Sequence, residues 1–182
     1  MAGETGATTV WAADAADPVI ISIPQKNVPD LAADIRTGTK PDAPVIETNN
    51  YYPRQRDGPI EKIEKIEAGM PESVWVGNHV GAPVIKVFNG IWWKHLLENG
   101  EQKGADGRVA LPIAGADGPA KRLVFALVED LGLDAVNGGT LAESWRQQPG
   151  TPVYGKDFGI ADTERALAEA RTERPEGFRA AK

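Results

Sequence analysis

The stretch PVIISIPQKNVPDL, Pro18 to Leu31, changes character half-way along. Val19 to Ile23 holds four β-branched apolar residues and one small polar one, Ser22, between two prolines, which reads as a strand buried on both faces. Asn27 then sits where a helix N-cap belongs, with Val28, Leu31 and Ile35 on one helical face and Gly38 as the stop. The same alternation continues downstream. Val45 to Glu47 is a second strand, and Ile60, Ile63 and Ile66 mark a short amphipathic helix. Pro71 opens another helix in PESVWVGNHV, and Pro83 to Phe88 is a third strand. Ile91 to Glu98 reads as a helix capped by Gly100, and Arg108 to Ala114 as a fourth strand. After the turn Gly115 to Gly118, Leu123, Leu127 and Leu131 recur at i, i+4, i+8 beside Val124 and Val128, with Asp117 as N-cap and Gly132 as the stop. Ala135 to Asn137 is a last strand, Leu141 to Gln147 a short helix, and Thr163 to Thr172 a charged surface helix. Strands alternating with helices over short loops predict an α/β protein with a mainly parallel sheet.

Composition narrows the chemistry. The chain has 182 residues, 41% apolar and 25% charged, with a net charge of −6. That length suits about one domain. The acidic balance gives no cluster of Lys and Arg for phosphates, so no nucleic-acid partner is expected, and it gives no attraction to an anionic membrane surface. No apolar run approaches the length of a membrane-spanning helix, and the N-terminus lacks the pattern of a secretory signal. Cytoplasmic localisation is the resulting expectation. There is no cysteine, and His79 and His95 are the two histidines. Thiolate chemistry is therefore excluded, and neither a His-rich metal site nor a Ser–His–Asp triad is expected.

In parallel α/β sheets, ligands bind beyond the carboxyl ends of the strands. Here the first strand runs into Pro24-Gln25-Lys26-Asn27, the second into Thr48-Asn49-Asn50-Tyr51, and the third into Phe88-Asn89-Gly90. Neutral amides at successive strand ends suit a ligand that offers hydroxyls and a carboxamide. They do not suit metal or proton chemistry.

The segments SIPQKNVPDL, VIETNNYYPRQRDG, VIKVFNGIW and ESWRQQPGTPVYG, taken in order, resemble the NADP oxidoreductases that depend on the deazaflavin coenzyme F(420). The cytosolic reductase domain of the six-transmembrane metalloreductases is similar as well. The likeness extends from about Gly3 to Tyr154. It implies a Rossmann-type domain, residues 1–140, with a C-terminal helical extension, residues 141–182. The implied activity is hydride transfer between NADP(H) and coenzyme F(420) or a flavin, with small-molecule cofactors as partners. Positioning and dryness, rather than a protein acid, drive such a step.

One departure from that family stands out. Its opening strand, G-x-G-x-x-G turn, helix and second strand have no counterpart in this sequence, and Gly3 and Gly6 do not supply the fingerprint. Residues 1–16 resemble instead the end of the family's second helix and its third strand, around Thr8 to Trp11. The expectation is an N-terminally truncated Rossmann-type sheet that keeps the nicotinamide end of the pocket and lacks the pyrophosphate cradle. Loss of central strands would expose the edge of the Pro18–Pro24 strand, so a homo-oligomer is expected, through pairing around Ile20 to Ser22 or through swapping of the N-terminal segment.

The resemblance assigns roles residue by residue. Asn89 would line the nicotinamide pocket, with Gly90 permitting close backbone approach. Pro24 and Gln25 would pass the ribose, and Asn49 and Asn50 would hydrogen-bond the cofactor. One of Trp92 and Trp93 would stack on the deazaflavin, leaving the other for the core. Arg146, Gln147, Gln148 and Tyr154 would clamp the acidic tail of the second cofactor. No residue is assigned a catalytic acid–base role and none a metal. The alternative is a non-catalytic binding or assembly module on the same scaffold.

Overall fold

The computed structural model describes residues 18–31, 43–58, 66 and 68–180. The expected strand around Thr8 to Trp11, most of the Ile60–Ile66 helix and the second half of the Asn27–Gly38 helix lie outside these residues. Strands β1 (Val19–Ile21), β2 (Val45–Glu47) and β3 (Val84–Lys86) form a parallel sheet in the order β1-β2-β3. Their register places Ile21 beside Glu47 and Glu47 beside Lys86. Strands β4 (Ala110–Ile113) and β5 (Asp134–Asn137) form a second parallel pair. An antiparallel bridge between Lys86 and Ala114 joins β4 to the end of β3, with N–H···O distances of 2.8 and 3.0 Å. The architecture is α/β, and among the described residues β1, β2 and β3 share one carboxyl edge.

Side-chain alternation sends β2 and β3, buried along their whole length, into two cores on opposite faces. Val45 and Val84 point into a core with Ile21, Val28, Tyr51, Trp75, Val76 and Val80. Ile46 and Ile85 point the other way, into a core with Val109, Leu111, Val124, Val128 and Leu133. Helix α1 (Glu72–Val80) covers the first face. It begins after Pro71 and ends at Gly81, whose φ of 68° is the left-handed cap geometry that glycine accommodates. Helix α2 (Trp93–Glu98) has no buried residue, and helix α3 (Pro119–Asp130) covers the second face. Helix α4 (Ile160–Glu169) lays Ala166 and Leu167 against Ala110 and Val136, so the segment after Thr140 shares a core with β4 and β5.

Several local readings are corrected. After β1 the chain forms a 3-10 helix, Gln25–Asp30, capped by Pro24 and containing Pro29, so Asn27 is not the N-cap. Pro29 has no N–H to donate, which favours this tighter and earlier turn. In α3 the buried positions are Lys121, Val124 and Val128, while Leu123 is 56% exposed and Leu131 41%. The stripe at i, i+3 and i+7 faces the sheet because Val124 and Val128 meet β4, whereas the leucine row lies to one side. The N-cap of α3 is Gly118, and Asp117 instead binds Lys121 Nζ at 2.9 Å. On β1, Ile21 is buried and Ile20 is 54% exposed, so Ile20 carries the free apolar surface of that strand. Among the described residues no helix is long and apolar enough to cross a membrane.

Candidate functional site

The strand register creates the central feature. Glu47 and Lys86 end adjacent strands in register, and their side chains meet at 3.1 Å with neither exposed. Lys86 Nζ also donates to the Asn49 carbonyl, and the Asn49 N–H donates to Glu47 Oε1 at 2.6 Å. Asn49 Oδ1 in turn accepts the Ile23 N–H at 3.0 Å, tying the end of β2 to the end of β1. A buried ion pair of this kind is stabilised by the further hydrogen bonds to Asn49, although Glu47 Oε2 has no partner among the described residues. The sequence signal was present: a Glu and a Lys closing otherwise apolar strands, VIE and VIK, need a partner if both faces are buried.

The predicted amides gather around this pair, and most of them bind one another. Asn89 Nδ2 donates to Asn50 Oδ1 at 3.1 Å and to the Gln147 carbonyl at 2.7 Å. Asn50 Nδ2 donates to the Asn89 carbonyl at 2.9 Å. Gln147 Nε2 reaches Asn89 Oδ1 and the Lys86 carbonyl, both at 3.3 Å. Gln25 is fully buried and its Nε2 lies 3.4 Å from the Glu72 carbonyl. Four buried side-chain atoms here have no partner among the described residues: Gln25 Oε1, Asn49 Nδ2, Glu47 Oε2 and Gln147 Oε1. Unpaired buried polar atoms are uncommon and call for an explanation. Pro24, Gln25, Asn49, Asn50, Asn89 and Gln147 are thus brought together.

The remaining candidates divide. A Cβ on Gly90 would meet Tyr154 Cδ2 and Gly155 N at 3.9 Å, an ordinary contact, so no packing reason requires glycine there. The strained position is its neighbour Phe88, whose φ of 63° is rare for a residue with a side chain. Such outliers concentrate at functional sites. Trp92 and Trp93 are 53% and 67% exposed, so neither is a core residue. Both lie at the start of α2, whose outer face leaves adjacent side chains in solvent. Arg146 is engaged elsewhere: its guanidinium lies 4.6 Å from the Trp145 ring and donates to the Leu167 carbonyl at 3.2 Å. The Tyr154 hydroxyl bonds the hydroxyl of Tyr52, a residue with no predicted role. Burial pushes the Tyr154 phenol well above its ordinary range, and the Tyr52 hydroxyl adds to the shift. His79 packs on Trp75 and His95 pairs with Asp157 at 2.6 Å, both packing roles.

Buried charged residues that the sequence pattern does not single out hold the fold together, Glu72 beside the site and Arg108 and Lys121 away from it. Glu72 is fully buried and accepts the Tyr51 N–H at 3.1 Å and Arg174 Nη2 at 2.6 Å. Burial raises its carboxyl above the usual range, against the opposing pull of Arg174. Arg108 clasps the α3–β5 turn through the carbonyls of Glu129, Gly132 and Leu133 and pairs with Asp134 at 3.1 Å. Lys121 Nζ binds Gly115 and Gly139 carbonyls, Asp117 and Asn137.

These shifts set a pH dependence. The Ala135 N–H lowers the carboxyl of Glu129, and the Thr140 N–H and hydroxyl lower that of Glu143 in a capping box. A folded-state value below the unfolded one adds stability above the ordinary carboxylate range, and that stability is lost as pH falls through it. Glu72 has the opposite sign, its contribution being lost as pH rises. Urea midpoints measured at about pH 7 and pH 3, on either side of the unfolded glutamate value, are expected to fall less in Glu129→Gln than in the parent. An equal fall would remove Glu129 from the acid limb.

The fold and the convergent strand ends define a Rossmann-like α/β protein. No protein-family model matches the chain. Among curated proteins, Escherichia coli (strain K12) YjhV is 44% identical over 69 residues, which cover 38% of this chain and 50% of YjhV. The chain therefore spans half the length of that relative. The Sinorhizobium meliloti hypothetical protein SMa0349 superposes with a TM-score of 0.61 and 27% identity, covering 82% of this chain and 69% of the other. An Arthrobacter sp. FB24 protein named as a candidate F420-dependent NADP-reductase superposes with a TM-score of 0.54 and 16% identity over 73% of this chain and 60% of that one. At that identity the likeness is one of fold.

Proposed function

We propose that the protein takes part in hydride transfer between NADP(H) and coenzyme F(420) or a flavin, at the carboxyl edge of β1, β2 and β3. The observation that carries this reading is the pair of unpartnered buried amide atoms at that edge, an acceptor in Gln25 Oε1 and a donor in Asn49 Nδ2. A nicotinamide carboxamide offers the complementary donor and acceptor, so these residues fit that end of the cofactor. Asn50, Asn89 and Gln147 hold the strand ends in place, with Pro24 and Gly90 shaping the backbone. Tyr154, with Tyr52, and the exposed Trp92 are the aromatic groups this reading assigns to a second ring system. Arg146 contributes through Trp145 rather than by a free guanidinium. When bound, the nicotinamide supplies the hydride, and this chain binds, orients and excludes water. Among the described residues no group of three or more His, Cys, Asp or Glu is placed to hold a metal ion.

The phosphates are the poor fit. No G-x-G-x-x-G occurs in the 182 residues, and that turn with its helix N-terminus supplies much of a dinucleotide's affinity. Calorimetric titration with NADPH is expected to give a dissociation constant of about 1 mM, ~−4 kcal/mol. Micromolar binding would show that the phosphate site has been misplaced. A second reading, a binding or assembly module without chemistry, is favoured by the hydrogen bonds that Asn50, Asn89 and Gln147 make to one another. Under that reading NADPH neither binds at millimolar concentration nor reduces F(420) or flavin in the presence of the protein.

A further inference from the structure

A cavity of about 510 Å³ lies away from the strand ends, between the Ile66–Pro71 segment, the 3-10 helix Leu141–Gln147 and the C-terminal segment 172–179. Its size falls within the range of small-molecule sites. One part of its wall is apolar: Ile66, Met70 and Trp145. The polar part is rich in donors. Arg179 lines the cavity with its Nε fixed on the Arg174 carbonyl at 2.7 Å, and among the described residues its guanidinium meets no carboxylate. Gln148 lends its Oε1 to the Glu72 N–H at 2.7 Å, which leaves its amide NH2 without a partner among the described residues. Arg174 also lines the cavity, but Glu72 neutralises it at 2.6 Å. Glu173 is the acidic side chain of the lining.

We propose that this cavity is a binding site for a small organic monoanion with a flat apolar body, its anionic group held by Arg179 and Gln148 and its body laid against Trp145, Met70 and Ile66. The solvent-facing donors of Arg179 and Gln148 can serve an acceptor-rich group, and a guanidinium takes a carboxylate by two parallel hydrogen bonds. The apolar wall removes the rest of the ligand from water. Glu173 disfavours a second negative charge. None of its ligand-facing groups belongs to the amide cluster around Asn89, so the site is separate from the nicotinamide end of the proposed function, although Gln148 is shared with the clamp expected for the second cofactor.

Titration of the full chain with 2-naphthoate, followed by calorimetry and by tryptophan fluorescence, tests the proposal. Saturable one-to-one binding is expected, with 2-naphthalenemethanol, the neutral analogue, at least about tenfold weaker. Arg179→Ala is expected to weaken naphthoate by about tenfold or more, as the loss of a charge-assisted pair does, and Glu173→Gln to strengthen it. Arg179 is exposed, so near-ultraviolet circular dichroism of Arg179→Ala should match the parent. NADPH titration of the same variant should also be unchanged, which separates this site from the strand ends. Equal binding of acid and alcohol, unchanged naphthoate binding by Arg179→Ala, or no saturable binding at millimolar naphthoate would each overturn the proposal.

Discussion

Replacing Lys86 by methionine is expected to destabilise the fold by about 3–5 kcal/mol, the usual cost of leaving one member of a buried ion pair behind. Lys86 and Glu47 have no exposed side-chain surface, and the ammonium also holds the Asn49 carbonyl. Without it the Glu47 carboxylate faces a low-dielectric interior with the Asn49 N–H as its remaining donor. The double variant Glu47→Gln/Lys86→Met removes the charge while keeping an acceptor for that N–H. It is expected to recover more than half of the loss. Urea denaturation of the parent, the single and the double variant settles the matter. A double variant no more stable than Lys86→Met would assign the loss to packing rather than to the orphaned charge. Because Asn49 links β2 to β1, the single variant should also perturb the amide cluster, visible as altered side-chain amide resonances of Asn50 and Asn89.

Trp75→Ala is expected to cost about 3–5 kcal/mol as well, through a different mechanism, the creation of a large cavity in a packed core. Trp75 is 1% exposed, packs among Ile21, Val45, Val76 and Val84, and carries the His79 ring at 3.9 Å. For a chain of this size the loss corresponds to a fall of about 10 °C in Tm. Calorimetry measures it directly. A change under about 1 kcal/mol, outside the range seen for buried tryptophans, would mean that α1 is not seated on the sheet. Trp75→Phe keeps much of the volume and should lose less.

The two predictions divide the chain's interior into two kinds of order. Around Trp75 the core is apolar and tolerant of small changes in shape. At the strand ends it is polar, and each group depends on the next, from Ile23 through Asn49 and Glu47 to Lys86, and from Asn50 through Asn89 to Gln147. A network of this type is stable when complete and costly when broken. The hydride-transfer reading and the scaffold reading both rest on this network, and the NADPH titration separates them.

The alternation of apolar strands with helices was legible in the sequence, because burial leaves β-branched runs and because Pro71 and Gly132 punctuate the chain through their backbone geometry alone. The gathering of Asn and Gln at successive strand ends was legible for the same reason, since position along a strand follows from local pattern. Tertiary structure decided what those groups do. Register set Glu47 beside Lys86, and no local signal specifies which strand neighbours which. The antiparallel approach of β4 rests on one pair of residues, Lys86 and Ala114. The face of α3 that is buried depends on where the sheet lies, so Val124 and Val128 were chosen over the equally periodic leucines. The occupation of Arg146 by Trp145 and Leu167, and the lack of a carboxylate partner for Arg179 among the described residues, followed from packing of the C-terminal segment. Sequence pattern fixes what a residue can offer, and only the arrangement of its distant neighbours determines whether that offer is already taken.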